Sequence, residues 1–113
     1  MTTLLPKDAD NNIIPALRLK DGGAHKITSG ATAQKNTNPF DEETKIVRLY
    51  TTSPIYIKFG DASITATTAD HFFPAGTYYD FAISGGASKG AQHNYVSVLQ
   101  VSETGTVFIS EKE

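Results

Sequence analysis

Apolar and polar residues alternate most regularly between Lys45 and Thr68, in KIVRLYTTSPIYIKFGDASITATT. Ile55, Ile57 and Phe59 fall on one face of an extended chain while Tyr56 and Lys58 fall on the other, the period of a half-buried β-strand. Gly60-Asp61 then reverses the chain into a second predicted strand, Ser63 to Thr67. Further strands are expected at Tyr78 to Ile83, Tyr95 to Val101 and Thr106 to Ser110, with a last hairpin turn at Glu103-Thr104-Gly105. Pro74-Ala75-Gly76 is suited to a turn that separates His71-Phe72-Phe73 from Tyr78-Tyr79-Asp80-Phe81. No window of helical length shows three-and-four spacing of apolar residues; Ala66 to Asp70 comes nearest to a helical turn. Seven or eight short strands at this spacing predict an all-β fold, an antiparallel β-sandwich or jelly-roll-like domain.

The pattern weakens before Phe40. Two short apolar runs, Ile13 to Leu19 and Ala24 to Thr28, lie among Asp, Asn, Gly, Thr and Lys. Pro15 removes a ladder donor from the first run, and Ser29 to Phe40 is small and polar. The expected organisation is therefore an extended N-terminal arm over 1–40 and a β-sandwich domain over 41–113. Such an arm has few apolar residues with which to offset an ordering cost of ~1–2 kcal/mol per residue. Ile13, Ile14, Leu17 and Leu19 are accordingly candidates for partner binding, laid along an exposed sheet edge of a neighbour. The competing reading makes these residues the first strands of the same sandwich.

The expected core is Ile46 or Val47 with Leu49, Ile55, Ile57, Phe59, Ile64, Phe81, Ile83, Val96, Val98, Val107 and Ile109. Each large side chain fully removed from water contributes ~1.5–3 kcal/mol. Adjacent strand residues point to opposite faces, so Phe72 and Phe73 cannot both face inward, nor can Tyr78 and Tyr79. The outward ring of each pair is covered by a nearby loop or rims a protein contact surface. Phe72, Phe73 and Tyr78 therefore join the partner-binding candidates.

Composition narrows the function classes. The chain has 113 residues, sized for one core, and a net charge of −2 from ten Lys and Arg against twelve Asp and Glu. No basic stripe follows a phosphate backbone, which argues against nucleic acid as a partner. Without cysteine, neither a disulfide framework nor a thiolate metal site can form. The N-terminal MTTLLPKDADNN is neither a secretory h-region nor a membrane span, so a soluble protein with no membrane partner is expected.

Candidate chemistry falls short of motif quality. Asp8-Ala9-Asp10-Asn11-Asn12 opens like a calcium loop, but Ile13 stands where glycine is required and Leu19 where a bidentate Glu should be. His25, His71 and His93 lack ligand spacing and read as separate surface histidines. Asp70-His71 with Ser53 or Ser63 would need a positioned triad and oxyanion hole. Gly85, Gly86 and Gly90 precede no helix start, as a phosphate loop requires. No catalytic residue, metal or cofactor is expected, and the chain reads as a non-enzyme.

The segment Val47 to Gly86, with Tyr95-Val96-Ser97-Val98-Leu99 and Gly105-Thr106-Val107-Phe108-Ile109, resembles a group of small all-β structural proteins of tailed bacteriophages and prophages. The matching elements are Phe59-Gly60-Asp61, Thr65-Ala66-Thr67, Asp70-His71-Phe72-Phe73 and Pro74-Ala75-Gly76, over about the last two thirds of the chain. The resemblance implies a virion component made in the host cytoplasm. A capsid decoration or cement protein bound to the major capsid protein fits it, present in many copies or as a homo-oligomer. A head-fibre, neck or tail position on another virion protein is the nearest alternative. A carbohydrate-binding module, with Tyr50, Tyr56, Tyr78 or Tyr79 as stacking platform, is a third reading.

Overall fold

The computed structural model describes residues 5–13, 16–85 and 90–113. Within them the chain forms eight strands and no helix: β1 (Leu19–Ser29), β2 (Gln34–Lys35), β3 (Ile46–Thr51), β4 (Ile55–Gly60), β5 (His71–Phe73), β6 (Tyr79–Ala82), β7 (Tyr95–Gln100) and β8 (Gly105–Lys112). They build two four-stranded sheets, ordered β1-β8-β3-β6 and β2-β7-β4-β5. Every named pairing is antiparallel. The pairs β1·β8, β2·β7, β3·β6 and β4·β5 nest like one long hairpin rolled around a core, which is a jelly roll.

The inner faces follow from strand period. Val47 and Leu49 of β3 and Val107 and Ile109 of β8 meet Ile55 and Ile57 of β4 and Val96 and Val98 of β7 in one buried cluster. Phe59 and Phe81 pack against it while remaining partly exposed. Ile83 is buried as expected, whereas Ile64 is only half-buried and Ile27, Phe40 and Phe73 join the core.

Several sequence-based boundaries move. The division at residue 40 is displaced toward the N-terminus, because β1 pairs with β8 from Leu19 to Ser29 and β2 pairs with β7. Arg18 extends that pairing through two backbone bonds with Glu113, of 2.9 and 2.8 Å. The inward positions of β1 include Gly23, His25, Ile27 and Ser29, with one large aliphatic among them, so hydropathy under-reports the strand. A bulge interrupts it between Leu19 and Ala24, where Gly22 adopts φ 76° and a Cβ on Gly23 would lie 2.9 Å from Glu111 Cβ. Phe40, expected on the arm, is buried with its N–H donating to Asn94 O at 2.8 Å.

The strand expected at Ser63 to Thr67 does not form. Asp61 Oδ1 accepts from Ser63 N and Oγ, and Asp70 Oδ2 accepts from Thr67 N, so side chains take up backbone donors that a ladder would need. The segment instead covers the outer face of the second sheet, where Ala66 is buried and its N–H donates to Ser97 Oγ at 2.9 Å. The partner of β4 is β5, farther along the chain. Glu103-Thr104-Gly105 likewise carries the chain between sheets and closes no hairpin, since β7 and β8 belong to different sheets.

Candidate functional site

The flank formed by β5 and β6 exposes three large aromatic rings, Phe72, Tyr78 and Tyr79. β5 pairs only with β4 and β6 only with β3, so each presents a sheet edge without a strand beside it. Pro74-Ala75-Gly76 joins them as a turn, with Gly76 at φ 78° and its N–H donating to Thr51 O at 3.0 Å. A groove of about 580 Å³ opens between the two edges, within the ~300–1,000 Å³ of ordinary ligand clefts.

Strand register assigns each ring its surface. Phe73 opposes Ile55, Tyr79 opposes Leu49 and Phe81 opposes Val47, so all three project toward the space between the sheets. Phe81 lies at its centre, with ring centroids 5.3 Å from Phe59, 5.7 Å from Phe73 and 4.9 Å from Tyr79. These are favourable aromatic spacings. Tyr79 remains 57% exposed, because no residue of the described chain closes the groove over it. Phe72, 57% exposed, points outward with Tyr56, its ring centroid 6.3 Å away. Tyr78, 65% exposed, stacks on Tyr50 at 4.7 Å, with Arg48 Cζ 5.4 Å from its ring centroid. Behind it Asp80 accepts from Lys112 Nζ at 2.9 Å and lies 3.9 Å from Arg48 Nε.

Of the partner-binding residues expected from sequence, Phe72 and Tyr78 lie on this flank. Phe73 also belongs to β5 but is a buried core residue at the floor of the groove, placed inward by its register with Ile55, so it is not part of the exposed surface. Ile13 and Leu19 are exposed and Leu17 half-buried, all on or before β1, at the opposite end of the first sheet's strand order. Ile14 falls outside the described residues. Phe81 was expected in the core and Tyr79 as one ring of a sugar platform; their shared parity on one strand was the signal that they face one groove together. The four tyrosines weighed as a sugar platform divide over three surfaces. Tyr50 and Tyr78 stack on one another, Tyr56 lies on the outer face of the second sheet, and Tyr79 lines the groove.

Elsewhere the polar groups hold the fold. Asp8 Oδ1 accepts from Asp10 N and Asn12 N, both at 2.9 Å, so the calcium-like stretch caps its own turn. His25 is no surface histidine: its side chain is 8% exposed and its Nε2 lies 2.8 Å from Oε2 of Glu111, itself 4% exposed. Glu111 Oε1 also accepts from Asp41 N at 2.9 Å and Thr44 Oγ1 at 2.5 Å. Ser63 Oγ bonds Asp61, Ser53 Oγ donates to Thr104 O at 3.4 Å, and the Asp70 carboxylate bonds Thr67, so none of them is joined to His71. Backbone donation from Thr67 is the main cause that holds the Asp70 carboxyl below its ordinary value. Among the described residues no three His, Asp or Glu side chains are grouped to hold a metal ion.

No protein-family model matches the chain, and no curated protein sequence does. Among solved structures it is similar to a chain from Bacillus endospore appendages, described as disulfide-linked pili, with a TM-score of 0.42, 18% identity, and 79% of this chain and 80% of that one covered.

Proposed function

We propose that this protein is a non-enzymatic structural component of a tailed-bacteriophage particle, a decoration protein that binds the outer surface of the shell built by the major capsid protein. The observation that carries the reading is where the phage-like motif falls. Asp70-His71-Phe72-Phe73 and Pro74-Ala75-Gly76 form β5 and the turn leading to β6, the elements that expose Phe72 and Tyr78. Exposed aromatic patches on a soluble domain mark interaction surfaces, and aromatic rings are enriched at the centres of protein interfaces. Jelly rolls serve in capsids, lectins and cupins alike, so the architecture supports the reading by analogy only and the flank supplies the rest.

The test is quantitative mass spectrometry and labelling of purified particles, followed by rebinding of Phe72→Asp and Tyr78→Asp proteins to particles stripped of this chain. Decoration requires many surface copies per particle and loss of rebinding by both variants with the fold retained. A few copies at one vertex would move the protein to the neck, a head fibre or the tail, and absence from the particle would overturn the proposal.

A further inference from the structure

β1 leaves its ladder at one place. Leu19 opposes Lys112 and Ala24 opposes Ser110, so Lys20, Asp21, Gly22 and Gly23 stand against the single residue Glu111 and have no paired residue across the ladder. Asp21 and Gly22 are both exposed. Gly22 adopts φ 76°, and nothing lies within 4 Å of the position that a Cβ would take there. The Asp21 carboxylate makes no hydrogen bond or ion pair among the described residues, whereas those of Asp8, Asp41, Asp61, Asp70 and Asp80 each accept a hydrogen bond. Asp21 is also the one aspartate in the sequence that a glycine follows.

We propose that Asp21 and Gly22 form a self-modifying site, at which Asp21 rearranges to isoaspartate in the folded protein. The Gly22 nitrogen attacks Asp21 Cγ, and a C–N bond forms as one carboxyl oxygen leaves as water with the carboxyl proton and the amide proton, closing a succinimide ring. Water then adds at the main-chain carbonyl carbon of Asp21 and breaks its bond to the Gly22 nitrogen, which regains a proton. The chain thereafter runs through Cβ and Cγ, the former main-chain carbonyl is a free carboxylate, and the mass is unchanged. The reaction needs a nitrogen that can be approached and a backbone that can turn the carboxyl toward it. In a paired strand the ladder holds the chain extended. The bulge has no such partners, and glycine brings no Cβ to crowd its nitrogen and allows the widest backbone rotation. Asp10, by contrast, is followed by Asn11, whose side chain crowds the approach. The open space outside Gly22 accommodates the added methylene, so the pairing on either side, Arg18 with Glu113 and Ala24 to Ser29 with β8, is kept. The inference stands apart from the phage reading and is tested on the isolated protein.

The test incubates the purified protein at neutral pH and body temperature for several weeks, in native buffer and in urea, and locates isoaspartate by enzymatic methylation and by electron-transfer fragmentation of its peptides. In native buffer isoaspartate accumulates at residue 21 ahead of every other aspartate, at a rate within about tenfold of that in urea, the slowing that a marginal local opening imposes. The aged protein keeps the β-sheet circular dichroism of fresh protein. Asp21→Glu, which keeps the charge at an exposed site but requires a larger ring, retains the fold and loses the product. Isoaspartate at residue 21 in urea but not in native buffer overturns the proposal, because the fold then holds the bulge rigid. Native accumulation that is greater at another aspartate, or that persists in Asp21→Glu, overturns it too.

Discussion

The two flanks of this sandwich are finished in opposite ways. On the β1–β8 side the space between the sheets is closed by residues 36–44 and by polar groups that satisfy one another. Glu111 accepts from His25, Thr44 and the Asp41 backbone, and Phe40 meets the His25 ring edge-on at 4.9 Å. On the β5–β6 side the rings of Phe59, Phe73, Phe81 and Tyr79 are left beneath an open groove. A buried carboxylate is stable only where every lone pair finds a donor, so the first flank tolerates little change. Exposed rings cost far less when altered, so the second flank is free to serve contact with another molecule.

The largest expected effect lies on the closed flank. Glu111→Ala leaves His25 and Thr44 inside the sandwich without their acceptor and lowers unfolding free energy by about 3 kcal/mol, read from urea denaturation. A loss below ~1 kcal/mol would mean that water replaces the carboxylate and that this flank is not closed. Gly22→Ala forces a side chain into φ 76° at the β1 bulge and costs about 1 kcal/mol, measured the same way.

Acid acts on three exposed turns. The Asp8, Asp61 and Asp70 carboxyls are held below their ordinary value, mainly by a backbone N–H of Asn12, the Ser63 hydroxyl and a backbone N–H of Thr67 respectively. A carboxyl with a depressed value stabilises the fold while ionised. That contribution is complete above its ordinary value of 3.8 and is lost as pH falls below it. Tm therefore stays level from these groups above about pH 5 and declines below about pH 4, and Asp70→Asn reduces the decline. A profile unchanged by Asp70→Asn would remove that turn from the account.

The smallest effect on stability belongs to the open flank. Tyr79→Ala removes one ring contact with Phe81 and lowers unfolding free energy by about 0.5 kcal/mol, read from urea denaturation. A loss as large as that of Glu111→Ala would collapse the contrast between the flanks and make the groove part of the fold's own support.

The legibility of the chain follows the same divide. β3, β4, β7 and β8 were readable because large aliphatic residues recur at period two: Val47 and Leu49, Ile55 and Ile57, Val96 and Val98, Val107 and Ile109. β1 was not, because its inward row contains Gly23, His25 and Ser29, whose burial depends on Glu111 and Gly105 far away in sequence. The stretch Ser63 to Thr67 misled in the opposite direction. Its Thr and Ile residues suit a strand, but the flanking Asp61 and Asp70 side chains capture its donors.

Alternation and turn chemistry, local properties carried by neighbouring residues, determined the β class and most of the core without any fold in hand, and left open which ring of Phe72 and Phe73, and of Tyr78 and Tyr79, faces outward. Tertiary structure alone decided that the chain rolls into two sheets, that the first forty residues supply two strands and the buried Phe40, and that Tyr79 and Phe81 share a groove with Phe59. Those outcomes depend on pairings between residues as distant as Ser29 and Gly105. Such pairings are selected by the joint burial of both faces, which no single segment encodes.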